Sequence, residues 1–175
     1  MSFKDLTSNK NFLSPFGYKL VLTRLPNVDF YCQSVSTPAV MLNSIEVSNP
    51  FQALQVPSTA MRFSNLSITF KIDEDLTNYR EVFDWIEALS VSDDFGNYTK
   101  LADAPIISSK KVYSDGSLVI PSSSKNPNQE MTFLELFPIS LGGMSFNSIA
   151  SDIQYMQATA EFKFRRFYIK SLVNG

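Results

Sequence analysis

The amino-acid sequence predicts a mainly β domain of the α+β class. We expect an antiparallel β-sandwich or partly closed barrel with one packed α-helix and a long β-hairpin arm. Three observations predict this fold. Apolar residues alternate with other residues along most of the chain, a single stretch has helical periodicity, and one long stretch with few charges has neither pattern.

The length and composition of the chain fit one such domain. Its 175 residues are predicted to divide into an N-terminal arm over residues 1–16, one domain over residues 17–170 and a C-terminal tail over residues 171–175. Hydrophobic residues make up 44% of the chain, which excludes a wholly disordered protein. Charged residues make up only 18%, below the roughly 25–35% expected of the surface of an isolated domain. This low charge indicates that some of the surface does not face bulk water.

The first two strands are predicted on either side of a turn. Apolar side chains alternate over residues 18–22 and the pattern stops at Pro26. Residues 30–36 follow the turn-prone residues 26–29 and end before Pro38. We therefore expect these two strands to pair as a hairpin.

The extended arm is predicted over residues 39–65. This stretch contains two prolines, and from Pro38 to Phe63 its only charged residues are Glu46 and Arg62. A structureless loop of this length is uncommon in a compact domain, so a long hairpin that adds its strands to another chain explains it better. The residues predicted to lie at the subunit interface are Glu46, Val47, Phe51, Leu54, Val56, Met61 and Phe63.

One helix is predicted, over residues 76–90, after a clean half-buried strand over residues 66–72. Apolar residues recur at three- and four-residue steps in this helix, and Trp85 flanks the apolar face. Asp73-Glu74-Asp75 stands at its start, where carboxylates cap free N–H groups; a metal or acid–base cluster is the alternative.

The second half of the chain predicts more strands. Asp115-Gly116 predicts a tight hairpin between residues 110–114 and residues 117–121. An apolar run over residues 131–137 is closed by Pro138, and residues 156–165 alternate most regularly of all. The residues predicted to pack in the core or against the helix are Tyr79, Phe83, Trp85, Ile86, Phe137, Phe162 and Phe164.

The composition excludes several classes of function. The chain has no histidine and one cysteine, Cys32, so histidine triads, cysteine–histidine pairs and the common zinc sites are excluded. We expect no enzyme, no metal and no cofactor, although chemistry by paired carboxylates or by lysine stays formally open. Asp93-Asp94 lacks the alternating oxygen donors of a calcium loop, so we expect a plain turn there. Cys32 is expected to be a small buried residue.

Nucleic-acid and membrane binding are not expected. The net charge is −2, which gives no electrostatic footprint for phosphate. Arg165-Arg166, beside Phe164 and Phe167, offers a patch for nucleic acid, but a solvated face or an interface pair is the simpler interpretation. No run approaches the ~20 apolar residues that span a bilayer, and the first residues have no signal-peptide pattern. We expect a soluble protein made in the cytoplasm.

The order of the predicted elements resembles the tail-tube protein family of contractile-tailed bacteriophages. Residues 30–38, the arm and residues 66–73 are similar to the strand, long hairpin and strand of that family. Residues 75–85 are similar to its single helix, with a phenylalanine and a tryptophan. Residues 135–142 are similar to its aromatic-proline turn before the final strands. Together the resemblance covers residues 17–169.

The resemblance implies a structural role. Proteins of that family form six-fold rings that stack into a hollow tube, and their long hairpins join neighbours into an inner β-barrel. It implies a virion tail protein, made in the host bacterial cytoplasm, that forms stacked hexameric rings. The implied partners are tail sheath, baseplate and tape-measure-type proteins, with DNA only as a non-specific passenger in the lumen.

Two alternatives stay open beside a repeating tube subunit. Residues 90–107 and the loop near Asn128 are long, which fits a baseplate, neck or tail-tip relative that initiates or terminates the tube. A β-sandwich that binds a ligand at its loops is the other alternative. Trp85 is the only tryptophan and is committed to the helix, which argues against carbohydrate stacking.

Overall fold

The computed structural model describes residues 11–48, 51–90, 112–146 and 155–172, and these contain nine strands and two helices. The strands are β1 (Lys19–Leu22), β2 (Cys32–Ser36), β3 (Val40–Val47), β4 (Leu54–Phe63), β5 (Leu66–Lys71), β6 (Ser114–Pro121), β7 (Pro127–Leu141), β8 (Gln157–Lys163) and β9 (Arg166–Ser171). The helices are α1 (Pro26–Phe30) and α2 (Thr77–Leu89). The predicted mainly β fold, with antiparallel pairing and a long hairpin, is confirmed.

Seven strands form the body of the domain, in the order β1-β6-β7-β8-β5-β2 with β9 also on β7. The long strand β7 belongs to two sheets. Its earlier part pairs with β6 and β9, and residues 137–141 pair with β8. We call β1, β6, β9 and the earlier part of β7 the first sheet. Strands β2, β5, β8 and residues 137–141 are the second sheet.

The core lies between the two sheets and α2. Phe133 of the first sheet and Phe70 and Phe162 of the second sheet are fully buried. Burial of each such side chain stabilises the fold by about 1.5–3 kcal/mol. The alternation predicted for residues 66–72 is confirmed, because β5 buries every second side chain.

The first two strands do not form the predicted hairpin. β1 pairs with β6, and β2 pairs with β5. Between them, Pro26 begins the one-turn helix α1, where its fixed φ and missing N–H are tolerated. Val28 in this turn is buried in the core. The segment that was predicted as a turn therefore carries the chain from one sheet to the other.

The predicted hairpin at Asp115-Gly116 is also wrong, since β6 runs through both residues as one strand. A bulge lies there, between Ser114 and Gly116 in the pairing with β7. Gly116 is closely packed, because a Cβ at this position would lie 3.0 Å from Cδ2 of Leu22 and would force that side chain to shift. Residue 110, the predicted start of the first hairpin strand, lies outside the described residues.

The structure has one strand longer than predicted, β7, and one strand more than predicted, β9. β7 continues through Pro138 to Leu141 instead of ending at the proline, and Pro138 is paired with Phe162. The run predicted over residues 156–165 corresponds to β8, and a further strand that was not predicted, β9, follows it and extends to Ser171. β9 is an edge strand whose side chains are all exposed except that of Phe167, so it has no buried face to mark it.

The helix is confirmed, with its buried face rotated from the predicted one. Asn78, Val82 and Trp85 are its buried residues, so Trp85 lies within the buried face and does not merely flank it. Phe83 is 51% exposed and does not pack in the core, contrary to the prediction. The reason is geometric, because successive residues of a helix are rotated by about 100° and Phe83 follows the fully buried Val82.

Candidate assembly interface

Among the described residues, a long run of exposed apolar side chains lies on the hairpin arm formed by β3 and β4. These strands pair with each other in a separate two-stranded sheet. Every residue of β3 is exposed, and only two residues of β4 are partly covered. A contiguous apolar patch on such a surface is typical of an interaction site.

The outer half of the arm is amphipathic. Residues paired directly across an antiparallel ladder point to the same face, and the pairs Ile45–Val56 and Val47–Leu54 share one face. Their side chains are 44–56% exposed. The opposite face carries the polar pair Glu46–Gln55, in which Gln55 Nε2 donates a 3.1 Å hydrogen bond to Glu46 Oε2.

The apolar surface changes face along the arm. Leu42 pairs with Met61 whereas Ser44 pairs with Pro57, so β4 carries a bulge between them. Leu42 and Glu46 lie on the same face of β3, because side chains of a strand alternate. The inner half of the arm is therefore apolar on the face that is polar in the outer half.

The inner end of the arm is anchored to the body by an aromatic cluster. The Phe63 ring centroid lies 5.7 Å from that of Phe164 and 5.4 Å from that of Phe167. Two hydrogen bonds fix the start of the hairpin, from the Ala39 N–H to Ser64 Oγ at 2.7 Å and from the Ser64 N–H to the Ala39 carbonyl at 3.0 Å. Phe63, predicted at the subunit interface, thus contacts its own domain.

The other predicted interface residues remain on the surface. Val47, Leu54, Val56 and Met61 are all exposed, and Phe51 near the tip is 96% exposed. Their burial in an assembly stays a prediction. Sequence reasoning missed four more exposed apolar residues on β3, namely Val40, Met41, Leu42 and Ile45. The signal was the uncharged run after Pro38, which shows no alternation because neither face of the arm is covered by the body.

The predicted core residues other than Phe83 are buried in the core or partly buried against it. Trp85 and Phe162 are buried, with their ring centroids 6.4 Å apart. Trp85 Nε1 donates to the Val112 carbonyl at 3.3 Å, and the Arg24 guanidinium lies 4.9 Å from the indole centroid. The remaining four are partly buried against the core: Tyr79, Ile86, Phe137 and Phe164.

The outer side of α2 carries a second exposed patch. An open groove of about 560 Å³ lies there, with Leu76, Phe83 and Met144 among its apolar lining. Asp84 and Glu87 are among the acidic residues that line the same groove. This patch carries more charged side chains than the arm.

Of the acidic residues before α2, Asp73 satisfies a free N–H at the helix start, as predicted, although the N-cap residue itself is Leu76. Asp73 Oδ1 accepts a 2.7 Å hydrogen bond from the N–H of Thr77, the first helical residue. The buried Asn78 adds a link to β5, since its Nδ2 donates to the Lys71 carbonyl at 2.7 Å. Within the part of the chain that the structure describes, no group of three acidic or cysteine side chains is placed to hold a metal. The predicted turn at Asp93-Asp94 lies outside that part.

The paired arginines near the C-terminus have partners within the chain. Arg165 Nη1 lies 2.8 Å from Glu135 Oε1, and this contact raises the pKa of the Arg165 guanidinium. Arg166 lies over the Tyr168 ring, 5.4 Å from its centroid. This arrangement favours the structural interpretation of the pair over a patch for nucleic acid.

Tyr18, Cys32 and Glu81 have raised pKa values because they are partly buried. Burial raises the pKa of Tyr18 to about 12, with its hydroxyl 3.8 Å from Cys32 Sγ. Burial also raises the pKa of the Cys32 thiol, which keeps it protonated and unreactive near neutral pH. Burial raises the pKa of Glu81 in α2 as well, against a hydrogen bond that Asn27 Nδ2 donates to its Oε1.

Among the described residues, no helix is long and apolar enough to cross a membrane.

The sequence profile of the phage tail tube protein family matches residues 10–170 of the chain. No curated protein matches the sequence.

Solved structures show the same fold at low sequence identity. The tube-terminating cap of the anti-feeding prophage is 15% identical, with a TM-score of 0.62 over 95% of this chain and 96% of that one. The sheath/tube terminator of the extracellular contractile injection system PVC is 15% identical, with a TM-score of 0.61 over 92% and 98% of the two chains. A chain of the PVC sheath–tube complex is 15% identical, with a TM-score of 0.54 over 93% and 94%.

Proposed function

The chain belongs to the phage tail tube protein family, and we propose that it is the repeating subunit of a tail tube, forming stacked hexameric rings that enclose a conduit for DNA. The family is structural, so the chain is not an enzyme. Tail tube proteins are components of the phage virion, and we place this chain in the tail, after synthesis in the host bacterial cytoplasm.

The observation that carries the proposal is the uncovered hairpin arm. An isolated two-stranded hairpin is marginally stable in water, and the arm has no third strand among the described residues. Its outer half presents Ile45, Val47, Leu54 and Val56 on one exposed face. Docking that face on a neighbouring copy removes apolar surface from water, which is worth about 25 cal/mol per Å² of apolar area.

The proposed ring closes through repeated contacts between identical copies and needs no other component. A contact between two different surfaces of identical copies is head-to-tail, and such contacts form a ring when the rotation between copies closes. The arm supplies one such surface because it reaches away from the body. Rings that stack through their arms make a continuous tube. Tail sheath, baseplate and tape-measure-type proteins are the partners proposed for the outside, the end and the lumen.

The weak net charge fits a passive conduit. A protein with a net charge of −2 has no general attraction for phosphate groups. DNA would therefore pass through the lumen as a non-specific cargo without being held.

A second candidate is a protein that terminates or initiates the tube, at the neck or the baseplate. The observation that favours it is the fold similarity to the tube-terminating cap and to the sheath/tube terminator, with TM-scores of 0.62 and 0.61, against 0.54 for the chain of the sheath–tube complex. Such a protein would be present as one ring in each particle.

Negative-stain microscopy of the purified protein over a concentration series, together with its mass in solution, tests both candidates. Long tubes or stacked six-fold rings support the repeating subunit. Single rings that do not stack, or monomers that form rings only on an added tube, support the terminator. A monomer at every concentration, inert to tail components, contradicts both.

A further inference from the structure

The groove on the outer side of α2 is acidic as well as apolar. Asp75, Asp84 and Glu87 line it and are exposed, whereas Arg80 is the single basic residue of its described lining. The same groove contains apolar side chains, among them the half-exposed Phe83. An apolar surface with a charged rim is typical of a contact with another protein. The sign of this rim favours a cationic partner surface.

The edge strand β9 presents the opposite charge. Side chains of a strand alternate, so Arg166, Tyr168 and Lys170 share the face that points away from the core, on which Phe167 packs. All three are exposed, and the Arg166 guanidinium lies 5.4 Å from the Tyr168 ring centroid. β9 has no acidic residue of its own, although Glu130 of β7 is paired with Lys170. The outer face of β9 is therefore cationic and aromatic.

The acidic groove and the cationic face lie at opposite edges of the first sheet. The strands of this sheet are in the order β1, β6, β7, β9. α2 lies near the β1 edge, because Trp85 contacts Arg24, which follows β1, and Val112, which precedes β6. β9 is the last strand at the other edge. Among the residues that the structure describes, no ion pair joins the two surfaces within one copy.

We propose that the acidic groove of α2 in one subunit contacts the cationic face of β9 in the next subunit. The occupant of the groove is thus a second copy of this chain. Because the contact joins two different surfaces, it is head-to-tail and can repeat from copy to copy. This inference rests on the assembly of copies proposed above, and it adds a contact that is separate from those of the arm.

The spacing of the charges allows two ion pairs to form together. Arg166 and Lys170 are four positions apart on a strand, which is about 13 Å. Asp75, just before α2, and Asp84, within it, are nine positions apart, which is about 13 Å at the rise of a helix. Tyr168 lies midway between the two cations, where it can contact the apolar lining between the two acids.

Two charge-reversed variants test this contact. Arg166→Glu/Lys170→Glu makes both surfaces acidic, and Asp84→Lys/Glu87→Lys makes both surfaces basic. Each variant alone should need at least about tenfold more protein than the parent to form rings, because like charges then face one another. An equimolar mixture of the two should form rings near the parental concentration, since each contact in an alternating ring again joins opposite charges. Negative-stain microscopy and the mass in solution measure ring formation.

The matched control reverses charges outside the proposed contact. Lys19→Glu/Lys125→Glu changes the net charge by the same amount as the β9 variant, at two exposed lysines of β1 and the loop before β7. It should form rings at the parental concentration. Circular dichroism and Tm of all three variants should match the parent, because every substituted side chain is exposed in the monomer.

The other outcomes separate this inference from the proposed function. Rings formed by both charge-reversed variants at the parental concentration overturn the contact and leave the tube function standing. Equal impairment by the control, or impaired variants that the mixture does not restore, also overturn the contact, since the charges then act through the net charge or through another partner. A parent that stays monomeric at every concentration overturns the proposed function together with this inference.

Discussion

The N–H of Glu135 donates a 3.0 Å hydrogen bond to Oδ1 of Asp115, across the point where β7 leaves the first sheet for the second. Glu135 has a φ of 56°, a left-handed conformation that is unfavourable for a residue with a Cβ. Arg165 supports the same point, because its N–H donates to the Leu134 carbonyl at 3.0 Å. The bulge of β6 at Asp115 and the bend of β7 are thus hydrogen-bonded to each other at the junction of the two sheets.

Replacement of Asp115 should weaken this junction. We expect Asp115→Ala to lower the free energy of unfolding by about 1 kcal/mol, because the Glu135 N–H loses its acceptor. Denaturant unfolding followed by circular dichroism measures the loss. Asp84→Ala, at an exposed acidic position on α2, is the matched control and should change stability by less than half as much. Equal effects of the two variants would contradict the role of the hydrogen bond.

The left-handed backbone at Glu135 makes a separate prediction. Glu135→Gly and Glu135→Ala both remove the carboxylate and its contact with Arg165, so their difference reports the backbone alone. Glycine adopts positive φ without a steric penalty, and we expect the glycine variant to be more stable by about 1 kcal/mol. Chemical denaturation of the two variants under one set of conditions measures this difference. An alanine variant at least as stable as the glycine variant would sink the assignment of strain.

Glu81 makes stability depend on pH. Burial raises the pKa of its carboxyl, and Asp29 and Asp73 raise it further, in part against the hydrogen bond from Asn27. The folded chain therefore binds this proton more tightly than the unfolded chain, and the stability from protonation is lost as pH rises through the folded pKa. Glu81→Gln cannot ionise and keeps an amide oxygen for Asn27. We expect it to raise Tm at about pH 7.5 more than at about pH 4.

The control for Glu81 lies on the same helix. Glu87 is exposed, so Glu87→Gln should shift Tm by a similar small amount at both pH values. Thermal unfolding of the parent and both variants at the two pH values gives the comparison. If Glu81→Gln shows the same shift at both pH values, the carboxyl is not perturbed by folding.

Two aromatic residues on α2 should differ widely in their effect on stability. Trp85→Ala removes a buried ring that contacts Phe162, and we expect a loss of about 3–5 kcal/mol. Phe83→Ala removes a side chain that is 51% exposed, and we expect less than about 1 kcal/mol. Denaturant unfolding of both variants measures the contrast. Comparable losses would show that the predicted apolar face, which included Phe83, was right after all.

The sequence predicted the elements whose one face is buried and failed where tertiary contacts override local signals. β5 and β8 alternate cleanly because one side of each faces the core. Asp115-Gly116 has turn chemistry, yet close packing on Leu22 and the bond to Glu135 keep it within a strand. The residues next to Asp115 and Gly116 in the sequence give no sign of these contacts with distant residues.

The sequence predicted the presence of the arm but not which of its faces are apolar, because those faces depend on pairing between distant residues. The arm was recognisable from its length and its lack of charge. Its amphipathic faces depend on the pairing of Ile45 with Val56 and on the bulge before Pro57. Neither the register nor the bulge follows from the spacing of apolar residues. The anchoring of Phe63 on Phe164 likewise joins residues 101 positions apart in the chain, which no local pattern reveals.

The arm should be required for rings and dispensable for the fold. Deletion of residues 48–58 removes half of β4, and none of the described residues in that segment is buried. We expect a folded monomer with nearly unchanged Tm that forms no rings in negative-stain images. Rings formed by this variant would refute the role of the arm.

A milder test uses the two faces of the arm. Ile45→Thr/Val56→Thr reduces the apolar character of one exposed cross-strand pair, and Ser44→Thr on the opposite face is the matched control. Loss of about one buried methylene equivalent at each position weakens a contact by roughly 0.8 kcal/mol each, which raises the concentration needed for rings by about tenfold. The control should form rings at the parental concentration. All three side chains are exposed in the monomer, so the Tm of each variant should stay close to that of the parent. Weaker assembly of the double variant without a loss of Tm would therefore identify the Ile45–Val56 face as the one that contacts the neighbour. Equal weakening by Ser44→Thr would instead mean that the arm acts through its backbone edges.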